Sequence, residues 1–345
     1  MPGERDVTND TATSDSARIP YDAILLVSFG GPEGPDDVLP FLENVLRGRN
    51  VPRERMLEVA HHYDLFGGVS PINEQIRALI AAVRAELKAR GPDLPIYWGN
   101  RNWRPFLADA LREMRADGRK HALAFITSAY SSYSSCRQYL EDIARAQAEL
   151  GADAPRVSPL RKFFDHPGFI QANADRLRDA LDTLPPAERE QTPVIFTAHS
   201  IPESMARVSD YEAQLREACR LVADQVGARE WELAYQSRSG SPAQPWLGPD
   251  IGERLRAQES RTAVVAPIGF ISDHMEVLYD LDVEARELAE SLGITMVRAG
   301  TAGVHPAFVR MVRELVAERM PDRPGDGVCP PGCCPRAEAR QVVTS

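Results

Sequence analysis

AILLVSF, residues 23–29, is an almost wholly apolar run that ends on Gly30-Gly31-Pro32, and this junction decides how the rest of the chain is read. A short apolar run bounded by turn residues reads as a strand buried on both faces. The signature returns in HALAFIT (121–127), PVIFT (193–197) and TAVVAPI (262–268), with shorter strand-like runs at 95–98, 232–236 and 295–299. Between them, helical spacing covers 36–46, 71–89, 105–116, 135–150, 169–184, 211–226, 272–292 and 306–320. Strands and helices alternate through two successive units, the pattern of parallel, doubly wound sheets. The expected fold is therefore α/β: two Rossmann-like lobes, each a parallel sheet flanked by helices. The ligand belongs in the cleft between them, beside the carboxyl ends of the strands.

The stretch VSPLRKFFDHPG (157–168), rich in proline and charge, marks the division. It gives a first lobe over 21–156, completed by the helix 306–320, and a second over 157–305. Residues 1–20 are polar, lack the apolar stretch of a secretory signal, and read as a disordered tail; 321–345 form an irregular Cys/Pro-rich tail. Forty Lys and Arg against fifty Asp and Glu leave a net charge of −10, the wrong sign for a protein that neutralises phosphates, so nucleic acid is not an expected partner. No apolar run approaches the roughly 20 residues of a spanning helix. A cytoplasmic monomer is expected, and in that reducing compartment the five cysteines point to metal binding ahead of disulfides.

His199 follows PVIFT directly, at a strand's carboxyl end, where sites in open sheets form. Position alone leaves two readings open: a reactive imidazole, or a histidine satisfied by a loop carbonyl. After TAVVAPI comes GFISDHME (269–276), in which Asp273 and Glu276 have the spacing of a capping box. Glu276, Asp280, Glu284 and Glu287 then recur at intervals of four, four and three, which lines one helix face with carboxylates. Such a row is either a solvated acidic face or a path for a divalent cation, which carboxylate and imidazole ligands suit. Leu215, Cys219, Val222 and Val226 share a helix face, so Cys219 reads as an inert core thiol.

TAHSIP (197–202) and SDHMEVLYDLD (272–282), together with SFGGP (28–32), FGGVSP (66–71), GNRNW (99–103), TSAYSSYS (127–134), QSRSG (236–240) and PWLGP (245–249), resemble the ferrochelatase family. The resemblance extends from Tyr21 to Met320 and leans toward the actinobacterial branch that metallates coproporphyrin III. It implies chelatase-type lobes, a lyase of haem biosynthesis, and ferrous iron and a porphyrin as substrates, with the next haem-pathway enzyme as a partner. His199 falls on the family's proton-accepting or metal-contacting histidine. Glu276 falls on its glutamate, Asp280 and Glu284 on the carboxylates that guide metal, and Asp273 and His274 on residues that orient the site. Phe29, Tyr130, Tyr133 and Trp246 fall on possible walls around the macrocycle, and Arg47, Arg49, Ser70 and Ser132 on porphyrin-contacting motifs. Some relatives carry a tyrosine axial ligand where this chain has Phe29, so that ligand does not transfer. The same branch implies a [2Fe–2S] cluster on Cys136, Cys329, Cys333 and Cys334, four thiolates being the usual ligand count. A tail with zinc-binding or redox-sensitive thiols is the alternative for those cysteines. For the whole chain the alternatives are another porphyrin, protoporphyrin IX above all, or a haem-binding chaperone built on the same paired lobes.

Overall fold

The structure, a computed structural model, describes residues 21–48, 51–239, 244–320 and 333–335. Its frame is two four-stranded sheets. The first joins β1 (Ala23–Ser28), β2 (Ile96–Asn100), β3 (His121–Ile126) and β4 (Arg156–Pro159) in the order β2-β1-β3-β4. The second joins β5 (Val194–His199), β6 (Trp231–Gln236), β7 (Thr262–Ala266) and β8 (Thr295–Arg298) in the order β6-β5-β7-β8. All pairings are parallel, and the two orders correspond strand for strand, so the fold is two Rossmann-like lobes.

Parallel sheets need cover on both faces, and β1 shows why its sequence does not alternate: all six residues are buried. Ile24 and Leu26 face one core; Ala23, Leu25 and Val27 face another, against α4 (Leu107–Ala116) and α5 (Gln138–Leu150). The first of these cores is continuous between the sheets. It runs from Phe125 through Phe163, Phe169 and Phe308 to Phe196, using α3 (Ile72–Arg90), α6 (Pro167–Asp182) and the helices Tyr211–Val226 and Pro306–Glu318. Burying each such large side chain contributes roughly 1.5–3 kcal/mol, which ties the lobes together through shared packing.

Five departures from the sequence expectation bear on the site. The strand Arg156–Pro159 pairs with β3, so the first sheet extends beyond residue 156 and the Pro-rich stretch begins inside it. The helix α2 (Arg53–Asp64), which follows α1 (Pro35–Leu46), was not expected, because among its residues only Met56 and Tyr63 are buried and no 3.6-residue apolar period shows. The short helix Ile251–Ala257 was also not expected. Finally, the expected helix over 272–292 starts at Met275 and passes through a π segment, Leu278–Ala285, before ending as Arg286–Ser291. The expected helix 135–150 is likewise entered through a π turn, Tyr133–Arg137.

Candidate active site

β5 delivers His199 at its last position, beside Gln236 at the end of β6. Nδ1–H of His199 donates to the carbonyl of Ser200, and Tyr211 Oη donates to the His199 carbonyl at 2.9 Å. Since a carbonyl only accepts, the neutral imidazole carries its lone pair on Nε2. The loop carbonyl considered as an alternative partner therefore holds the ring without occupying the nitrogen that does chemistry. That Nε2 stands 3.8 Å from Glu276 Oε2.

Glu276 is placed by the loop after β7. Gly269 N–H donates to Thr197 O at 2.9 Å, and a β-carbon on Gly269 would lie 2.6 Å from the Ala198 α-carbon, so only glycine lets this loop rest on the strand that carries His199. The capping box expected from Asp273 and Glu276 does not form. Asp273 pairs with Arg298 Nη1 at 3.1 Å and its N–H donates to Gln75, while the Glu276 carboxylate turns toward His199 and stands 4.0 Å from His274 Nδ1. Burial against Phe270 outweighs the pull of Glu276 and lowers His274 below the ordinary histidine range, which keeps it neutral. Arg298 also holds Asp282 at 2.8 Å, so one cation on β8 anchors the loop and the π segment together.

The carboxylate row does not form one cluster. Among the described residues no three His, Cys, Asp or Glu side chains are grouped as a metal site. Asp280 accepts from Ser237 Oγ and from Gln236 Nε2 at 3.4 Å, and burial, with Glu276 and Glu284 adding, pushes its carboxyl up to about 7. Ser237 reaches it from a left-handed backbone, φ 61°, uncommon for a residue with a side chain. Glu284 is raised by burial and by Asp250, against a hydrogen bond from Tyr279. The arrangement is a series of stations: the His199/Glu276 pair, then Asp280, then Glu284.

Around it, the proposed porphyrin contacts separate. Phe29 stands at the end of β1, 36% exposed and edge-on to Phe41. Trp246 bridges Pro202 beside the His199 loop, where Ser200 Oγ donates to Leu247 O at 2.8 Å. Ser70 is buried against Gly31. Tyr133 donates to Glu141 at 3.0 Å. Like Ser70, two more are buried: Tyr130 among Phe169 and Tyr211 with its hydroxyl on Ile268 O, and Ser132 bonded to Ser135. Arg47 is exposed and engaged with Asn44 one turn back on α1, and Arg49 lies outside the described residues. Ser237, Arg298 and Tyr211 were not singled out from sequence; they hold the site through partners distant in the chain.

The tail cysteines divide similarly. Arg137 Nη2 donates to the Cys333 carbonyl at 3.1 Å, which sets the segment 333–335 against the turn that carries Cys136. Cys136 and Cys334 are buried, and Cys329 lies outside the described residues. Cys219 is buried in the core and its thiol is pushed up by burial, as an inert thiol should be.

A family profile described as Ferrochelatase matches residues 21–320. Relatives include a ferrochelatase of Rhodopirellula baltica, 59% identical, covering 91% of this chain and 93% of its own. Coproporphyrin III ferrochelatases of Frankia alni (54%; 88% and 81%) and Streptomyces coelicolor (49%; 94% and 96%) are also similar. In fold, SirB from Bacillus subtilis superposes with a TM-score of 0.56 at 15% identity over 87% of this chain and 97% of its own.

Proposed function

Since the chain belongs to the ferrochelatase family, with ferrous iron and a porphyrin as substrates, we propose that its porphyrin is coproporphyrin III and that His199 and Glu276 carry out the insertion. The observation that carries this reading is the 3.8 Å approach of His199 Nε2 to the Glu276 carboxylate at the head of the acidic stations. A free-base porphyrin must release two pyrrole protons as the metal enters. His199 Nε2 is a base of the right type, held in one tautomer by Ser200, and Glu276 stabilises the imidazolium once the proton has moved. Glu284 and Asp280 pass the cation inward. Because Asp280 titrates near neutrality, it can release a proton when the cation arrives and take one back when it leaves. Asp273 and His274 position Glu276, and Phe29, Ser70, Tyr133 and Trp246 border the ring.

Two relatives named as coproporphyrin III ferrochelatases support the substrate, and polar His61 and Asp64 at the lip suit a water-compatible tetracarboxylate. Protoporphyrin IX remains the second reading, favoured by the exposure of Leu65 (61%) and Val69 (41%) at the same lip. No described helix is long and apolar enough to cross a membrane. A cytoplasmic monomer that hands its product to the next haem-pathway enzyme completes the reading.

The proposal includes a [2Fe–2S] cluster on Cys136, Cys329, Cys333 and Cys334; the contact of Cys333 with Arg137 beside buried Cys136 fits that ligand set. Such a cluster supplies a one-electron redox centre, and binding it would fasten the tail to the first lobe. Anaerobically purified protein should contain iron and sulfide and show their visible absorption, lost in Cys136→Ser and kept in Cys219→Ser. Bound zinc, or protein without metal or sulfide, would contradict it. The insertion chemistry is tested by His199→Ala, which should lower turnover by about 10²–10⁴-fold while porphyrin still binds.

A further inference from the structure

His62, in the last turn of α2, lies flat on Tyr279: the ring centroids are 3.7 Å apart and the planes are within 8°. The two rings come from opposite lobes. α2 packs with α1, whose Phe41 meets Phe29 just past the end of β1, whereas Tyr279 belongs to the π segment that packs on the second sheet. Next to His62, Tyr63 is buried with Phe41, Met56 and Met275, so α2 also covers the residue that begins the site helix. A π segment has poorer internal hydrogen bonding than an α-helix and depends on outside contacts to persist. Burial and the nearby Arg55 hold the His62 imidazole below its ordinary range, so it meets Tyr279 as a neutral aromatic ring.

We propose that His62 is a positioning residue for metal delivery: through its stack on Tyr279 it keeps the π segment, which carries Asp280 and Glu284, in register with Glu276 and His199. The inference rests on the reading that the carboxylate stations carry the metal substrate. It assigns His62 an aromatic partner from the other lobe and no substrate carboxylate.

The test varies zinc at saturating coproporphyrin III and follows the zinc porphyrin by fluorescence in the full-length protein, with His62→Ala, His62→Gln and His62→Phe. Ala and Gln should raise the zinc concentration for half-maximal rate about three- to tenfold, with kcat and the porphyrin KM within twofold of wild type. Phe, which keeps the stack, should restore it. Amide hydrogen exchange over 278–285 in metal-free protein gives a readout independent of activity: faster in Ala and Gln, unchanged in Phe. A metal dependence and exchange rate that stay at wild-type values in Ala and Gln would overturn the inference, as would failure of Phe to restore them. If the wild type inserts no metal at all, the functional reading fails, and the exchange comparison alone still decides whether His62 holds the segment.

Discussion

At His199 a hydrogen bond to a neighbouring carbonyl determines what the ring can do. The bond from Nδ1 to Ser200 O leaves Nε2 as the basic atom, and 3.8 Å away Glu276 supplies the counter-charge. Position after PVIFT made His199 legible in the sequence; the tautomer was not, because Ser200 is one of many loop carbonyls until the backbone turns. Asp280 gives a prediction with a sign. Its folded carboxyl titrates near 7 against an ordinary 3.8, with burial the main cause. Below about pH 4 the group is protonated both folded and unfolded, and it costs nothing. Between 4 and 7 the folded form holds a proton that the unfolded form has lost, so stability falls as pH rises and levels off above 7. Asp280→Asn removes this cost. The metal-free variant should gain stability over wild type across that interval, reaching about 1–2 kcal/mol after solvent screening at the half-buried carboxyl. Urea unfolding at pH 4 and pH 8 checks it; an equal gap at both would show that titration is not the cause.

The π segment Leu278–Ala285 carries Asp280 and Glu284, and the sequence presented it as ordinary helix. Spacing of Glu276, Asp280, Glu284 and Glu287 identified the face but could not show the change of helix type, since that depends on contacts with α2, Ser237 and Arg298 from three other elements. α2 escaped notice because Met56 and Tyr63 alone of its residues are buried, too few to establish a period. Arg298→Ala removes the shared partner of Asp273 and Asp282. It should leave both strands beside β7 intact yet loosen loop and π segment together, lowering insertion turnover about tenfold, measured with saturating metal and porphyrin. Gly269→Ala strikes the same loop from below: its β-carbon would meet Ala198, and overpacking of this kind costs about 1–3 kcal/mol. A thermal melt at wild-type temperature for that variant would mean the loop does not rest on β5 as described.

Across the whole molecule, the apolar strands carried the architecture into view. AILLVSF, HALAFIT, PVIFT and TAVVAPI are continuous because both sheet faces are covered, and each appears as β1, β3, β5 or β7 at the centre of its sheet. The lobe boundary was less legible, since Arg156–Pro159 carries the charge and proline of a linker but pairs at a sheet edge, where proline is tolerated. Tyr130 shows a related split: its motif marks a strand-end loop, while the shared core takes its side chain. What distinguishes one porphyrin from another is the number of carboxylates recognised at the lip, each charge-assisted contact adding about 1.5–3 kcal/mol before screening. The most direct measurement is anaerobic steady-state insertion of ferrous iron with coproporphyrin III and with protoporphyrin IX, each with and without detergent. A kcat/KM at least tenfold higher for coproporphyrin III, with turnover lowered about 10²–10⁴-fold in His199→Ala for both, is the expected result; equal or faster turnover of protoporphyrin IX, or full activity without His199, would contradict it.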